Sequence, residues 1–119
     1  MSFDERVDSA DLRHRAQCYL DGRQPADRIP DTILVITELV QNVLQHTGDG
    51  GELALSRDDD TVLVEVYDRS SALPRLYRPD PRRIGGRGML LVSAVSRKWG
   101  SRRTATGKVV WARMPVEPL

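Results

Sequence analysis

An α+β fold, a two-layer sandwich with helices on one face of a mixed, mostly antiparallel sheet, is predicted by three features of the 119-residue sequence. Apolar residues recur at helical spacing in three segments. Apolar and polar residues alternate with period two in two pairs of segments joined by short polar turns. The order is helix, helix, strand, strand, long loop, helix, strand, strand, without the alternating βαβ units that a doubly wound nucleotide fold requires. A chain of this length supports one core of two packed layers, so residues 1–119 are expected to form a single domain.

Residues 2 to 7 alternate weakly and can form a short first strand. From Ser9, a fitting N-cap, Leu12, Ala16, Tyr19 and Leu20 line one side of a helix that should stop at Gly22. Cys18 in that helix is the only cysteine, which excludes an internal disulfide and a cysteine metal cluster, and it is expected to be a small buried residue. A second helix should run from near Asp27 to Gly48, with Pro30 tolerated because it falls in the first turn. Asp49, Gly50 and Gly51 then turn the chain into an antiparallel hairpin, residues 52–57 and 61–67, closed by Asp58, Asp59 and Asp60. The stretch from Arg69 to Gly88 has no period and holds Pro74, Pro79 and Pro81; at about 20 residues it exceeds an ordinary connection, and such loops are either functional lids or disordered. Met89, Val92, Val95 and Trp99 predict a third helix capped by Gly100. Residues 101–106 and 108–114 predict a final hairpin around Gly107, with Val109, Trp111 and Arg113 facing one way.

Charge is divided unevenly. Residues 1–60 hold 13 acids against 6 arginines, a balance of −7, whereas residues 61–119 hold 12 bases against 4 acids, a balance of +8. Arg69, Arg75, Arg78, Arg82, Arg83 and Arg87 concentrate in the long loop, and the planar guanidinium suits phosphate. Tyr77 is the only aromatic residue among them, so the stacking platforms of a single-strand nucleic-acid binder are missing and no direct nucleic-acid contact is expected. No apolar run reaches the length of a membrane span and the first residues show no signal-peptide pattern, so the expected location is cytoplasmic, away from the membrane.

The residues suited to chemistry gather at three places. Glu38, Asn42 and His46 stand at i, i+4 and i+8 on the second helix, in one row beside the apolar Leu39, Val40, Val43 and Leu44. Such a row usually faces water, but at the rim of a core a carboxylate can act as a base and an amide oxygen can hold Mg2+. Asp68 ends a strand of inward valines, where it either makes a turn with Ser70 or accepts a hydrogen bond from an exocyclic amine. Gly85, Gly86, Arg87 and Gly88 precede the third helix, where small residues and free N–H groups allow an anion to approach; no Walker A loop is formed.

Taken together, Glu38-Leu39-Val40-Gln41-Asn42 with His46, Val64-Glu65-Val66-Tyr67-Asp68, and Gly85-Gly86-Arg87-Gly88-Met89 with Leu91, Val92, Trp99 and Gly100 resemble the N, G1 and G2 boxes of the GHKL ATPase superfamily. The small anti-sigma-factor serine kinases and related actinobacterial ATP-binding regulators are the most similar group, and Gly107-Lys108-Val109-Val110-Trp111 resembles their closing strand. The resemblance spans residues 9–114 and implies the Bergerat, histidine-kinase-like ATPase fold. It further implies ATP and Mg2+ as cofactors: Asn42 for the metal, Asp68 for the adenine amine, and Gly86, Arg87 and Gly88 for the phosphates. Glu38 would be the catalytic base acting on a protein serine, and residues 69–87 the ATP lid. Where the superfamily has Asp-x-Gly-x-Gly, Ser70 and Ala72 stand in the glycine places.

The implied function is transfer of the ATP γ-phosphate to a serine of an antagonist protein, controlling a sigma factor, with a homodimer as one arrangement of the chain. The alternative is a catalytically silent, nucleotide-dependent binding module of the same fold. A small basic nucleic-acid binder, the third option, lacks both the aromatics and a recognition motif.

Overall fold

The computed structural model describes residues 1–4, 6, 9–46, 50–68 and 86–117. Its elements follow in the order β1 (Ser2–Phe3), α1 (Ser9–Leu20), α2 (Ile29–His46), β2 (Gly51–Arg57), β3 (Thr61–Asp68), α3 (Gly86–Val95), β4 (Lys98–Arg103) and β5 (Lys108–Pro115). The strands form one sheet in the order β1-β2-β3-β5-β4, and each neighbouring pair is antiparallel, so the expected mixture of directions reduces to one.

Strand alternation decides which face of the sheet the helices cover. Register pairs Leu53 with Val66 and Val66 with Val110, then Leu55 with Val64 and Val64 with Ala112, so these residues share one face. Val62, Val64, Val66, Val110, Ala112 and Met114 are buried there against α2. α2 supplies Val35, Ile36, Leu39, Val40 and Val43, a stripe at helical spacing, and each such side chain contributes about 1.5–3 kcal/mol when fully buried. α1 packs on α2 through Leu12, Ala16 and Leu20, spaced four apart. Val109, Trp111 and Arg113 face away from the helices.

Three sequence expectations are corrected. The third helix stops at Val95, and Trp99 and Gly100 lie in β4, which therefore starts at Lys98 and not at 101. Trp99 suits both periods; opposite Ala112 its ring packs against the core from the sheet, and Arg97 N already donates to the Arg113 carbonyl at 2.8 Å. Gly100 is a close-approach residue: a Cβ there would stand 2.8 Å from the Trp111 indole across the strand pair. Cys18 is exposed, because on α1 it points away from the stripe of Ala16 and Leu20, and its Sγ lies 3.6 Å from His14 Nε2. Finally, β1 is only two residues long, and the remainder of the expected lid, residues 69–85, lies outside the described residues.

Two glycines test backbone freedom with different surroundings. Gly50 has φ +82° and an added Cβ would run into the Phe3 carbonyl oxygen, whereas Gly22, φ +81°, faces open space. Gly50→Ala should lower unfolding free energy in urea by about 2 kcal/mol or more, combining strain with the clash. Gly22→Ala should cost about 1 kcal/mol, the conformational part alone. Equal losses would show that the approach of β1 to Gly50 is not tight.

The turn between β2 and β3 predicts an acid response. Asp58 Oδ1 accepts from Thr61 N at 2.7 Å and Asp60 N at 3.0 Å, and Arg113 Nη1 donates to Oδ2 at 2.7 Å. The backbone donors of Thr61 and then Asp60 hold the Asp58 carboxyl down to about 2. A depressed acid stabilises the fold above its unfolded value and loses that contribution as pH falls through the folded one, here between about 4 and 2. Thermal melts should therefore show a smaller drop over that window in Asp58→Asn than in the parent chain; identical profiles would remove Asp58 as a source of the response.

Candidate functional site

Three elements carry the site residues, and their directions bring those residues toward one end of the sheet. The start of α2 is held where β5 ends, since Gln24 Nε2 donates to the Pro115 carbonyl at 3.0 Å and Arg28 Nε to the Glu117 carbonyl at 2.8 Å. Thr32 Oγ1 donates to Gln24 Oε1 at 2.8 Å, completing a buried polar tie. Four residues beyond its other end, at His46, stands Gly50, and Gly51 pairs with Asp68, itself opposite Lys108 at the start of β5. Moving along α2 from Glu38 through Asn42 to His46 thus advances toward Asp68, about 5.4 Å per turn.

α3 runs against α2. Its N-terminus meets the polar row: Gly88 lies against the Glu38 carboxylate, and Asn42 Nδ2 donates to Met89 Sδ at 3.2 Å. Glu38 and Asn42 are each half-buried, between the apolar stripe and the surface. The helix begins at Gly86, three residues earlier than the sequence suggests, so Gly86, Arg87 and Gly88 form its first turn and their own N–H groups have no acceptor within the helix. Those donors and the positive end of the helix dipole suit an anion.

Gly88 is required at this helix crossing by its neighbour. A Cβ there would overlap Glu38 Oε2, so only glycine lets α3 approach with the carboxylate in its present position. Sulfur is a weak acceptor, and the Asn42 amide that donates to it carries Oδ1 on its other branch, the oxygen suited to a hard cation. Among the described residues no group of three His, Cys, Asp or Glu side chains is arranged to hold a metal ion. Asn42 Oδ1 is by chemistry a donor that could serve as one protein ligand to a hard cation such as Mg2+.

Asp68, at the end of β3, is buried, 5% exposed. Its Oδ2 stands 3.6 Å from the ammonium of Lys108, a residue with a side chain only 4% exposed. Both line a cavity of about 350 Å³ with Phe3, Gly50, Gly51 and Tyr67. At its rim Ser2 Oγ donates to Glu52 Oε2 at 2.7 Å, which lowers the Glu52 carboxyl below its usual range. Glu38, Asn42 and Gly88 are thus in one cluster and Asp68 with Lys108 in a second; the described lining of the cavity does not include Glu38 or Asn42. The His46 side chain and the Arg87 guanidinium lie outside the described residues.

Lys108 is absent from the residues singled out in the sequence as chemical. The signal was its parity: if Val109, Trp111 and Arg113 share the outer face, Lys108 must point inward with Val110 and Ala112. Its pairing with Asp68 was hidden, because two strands 40 residues apart have no local mark of their register.

Gly88→Ala should leave the fold intact while moving Glu38, since the atom in the way is the free end of a flexible side chain. The expected loss of stability is about 1 kcal/mol or less, with measurable displacement of the Glu38 carboxyl resonance in NMR. A loss of several kcal/mol would mean that the backbone of α3 cannot yield.

Comparison with known proteins bears on this arrangement as a whole. Among the described residues no helix is long and apolar enough to cross a membrane. No curated protein matches the chain. A family profile described as the histidine kinase-like ATPase domain matches residues 4–114, taking in all three helices and β2, β3 and β4 with nearly all of β5. Among the described residues, the open α+β arrangement of three helices and a five-stranded antiparallel sheet is consistent with that fold, and the chain belongs to the family: a histidine kinase-like, ATP-binding domain of the GHKL superfamily.

Proposed function

We propose that the chain is an ATP-dependent regulator that transfers the γ-phosphate to a serine of an antagonist protein and so controls a sigma factor. The observation that carries the chemistry is the contact of Glu38 with the first turn of α3 at Gly88, one helical turn from Asn42. A carboxylate, an amide oxygen and the first-turn N–H groups of α3 then stand close together, which supports the needs of phosphoryl transfer: positioning, charge neutralisation and a base.

In this reading the backbone of Gly86, Arg87 and Gly88 receives the phosphates, with the Arg87 guanidinium as a further donor, and Asp68 accepts from the adenine amine. Glu38 takes the proton from the acceptor serine hydroxyl as its oxygen bonds to the γ-phosphorus and the bond to the ADP oxygen breaks. Mg2+, with Asn42 as its protein ligand, would offset the charge of the phosphates. Residues 69–87 cover the nucleotide with their arginines. The partners are a sigma factor and the antagonist that carries the serine.

The test separates binding from chemistry. Glu38→Gln should retain ATP affinity and lower transfer by about 10²-fold or more. Asn42→Ala should weaken Mg2+-dependent binding and transfer together. Asp68→Asn should lower ATP affinity sharply, since an amide accepts more weakly than a carboxylate and can present the wrong group. Labelled ATP, calorimetry and candidate sigma-factor and antagonist proteins supply the measurements. ATP and sigma-factor binding with no transfer to any antagonist would replace the kinase with a silent binding module, and unfolding of Glu38→Gln would make Glu38 a structural residue of α2.

A further inference from the structure

We propose that Lys108 is a specificity-determining residue of the nucleotide site, its ammonium donating to the purine ring nitrogen beside the exocyclic amine that Asp68 accepts. This rests on the ATP reading above. Lysine is seldom buried to 4% exposure, and the one here lies 3.6 Å from a carboxylate whose side chain is 1% exposed. A buried ion pair is often no more stabilising than two apolar residues of similar size, so stability by itself does not account for this one.

The surroundings indicate what the pair faces. Asp68 and Lys108 stand directly opposite each other on β3 and β5 and line one cavity, bordered by Gly50, Gly51, Thr104 and Thr106. A carboxylate only accepts and an ammonium only donates, so the cavity wall carries an acceptor beside a donor. Adenine offers the complement, an amine beside the unprotonated ring nitrogen N1. Guanine has the reverse order: a carbonyl oxygen would meet the carboxylate, and an N–H would meet the ammonium. Two adjacent groups of opposite sense reject the wrong purine twice, whereas Asp68 alone rejects it once.

Calorimetry with ATP, GTP, inorganic tripolyphosphate and 1-deaza-ATP, each with Mg2+, tests the assignment on the full chain. 1-deaza-ATP keeps the amine and replaces N1 with C–H. The parent chain should bind it about tenfold or more weakly than ATP, because the hydrogen bond from the ammonium to N1 is lost and a C–H stands in its place. Lys108→Met should bind ATP and 1-deaza-ATP alike, discriminate less against GTP, and bind tripolyphosphate as the parent does. Lys108→Arg, which keeps a charged donor, should recover part of the difference. The parent comparison needs no variant and holds even where Lys108→Met fails to fold. Equal affinity of the parent for ATP and 1-deaza-ATP overturns the inference alone. A parent chain that binds no adenine nucleotide overturns the ATP reading and this inference with it.

Discussion

α2 must satisfy two surfaces at once, and the rest of the structure depends on how its sequence divides between them. One side of its 18 residues is an apolar stripe that covers the valines of β3 and the facing residues of β2 and β5. Its neighbouring row holds Glu38 and Asn42, which stay half-buried because α3 packs across them. Rotating the helix to submerge the row would expose the stripe, and rotating it the other way would detach α3. Each wrong choice costs several buried side chains of about 1.5–3 kcal/mol apiece, far more than a polar residue gains at the surface. The position of the polar row therefore follows from core packing.

The same reasoning explains why a glycine stands at the α2–α3 crossing. Two helices with ordinary side chains pack at axial distances of about 8–10 Å, and closer approach needs a missing side chain. Gly88 removes one against Glu38. That contact brings the N-terminal N–H groups of α3 to the polar row and sets them beside a carboxylate, which the positive end of the helix dipole favours.

A second departure from a purely apolar core is the Asp68–Lys108 pair. It sits at the end of the sheet where β2, β3 and β5 are in register through Gly51, Asp68 and Lys108. Gly50 and Gly51, which line the cavity, permit close approach of the backbone here, because an added Cβ would run into the Phe3 carbonyl at the first and the Tyr67 carbonyl at the second. At the opposite end the polar groups are satisfied within the chain: Gln24, Thr32 and the Pro115 carbonyl close on one another, and Asp58 is held by the backbone of its own turn. The sheet thus has one end tied by hydrogen bonds of its turns and one where a charged pair lines a cavity.

Periodicity in the sequence determined which segments are helices and which are strands, because burying one face is a local requirement written every third, fourth or second residue. It also determined that Glu38 and Asn42 share a row, and the residues of three boxes were enough to identify the family. It failed where two periods coincide, at Trp99, where a side chain spaced for the helix is equally spaced for β4, and at Cys18, where residue type suggested burial but helical phase did not. Only the tertiary structure decided the antiparallel pairing of β3 with β5, the closeness of Gly88 to Glu38 and the burial of Lys108 against Asp68. These contacts join residues 40 or more positions apart, and their energies depend on burial and register that no window of neighbouring residues contains.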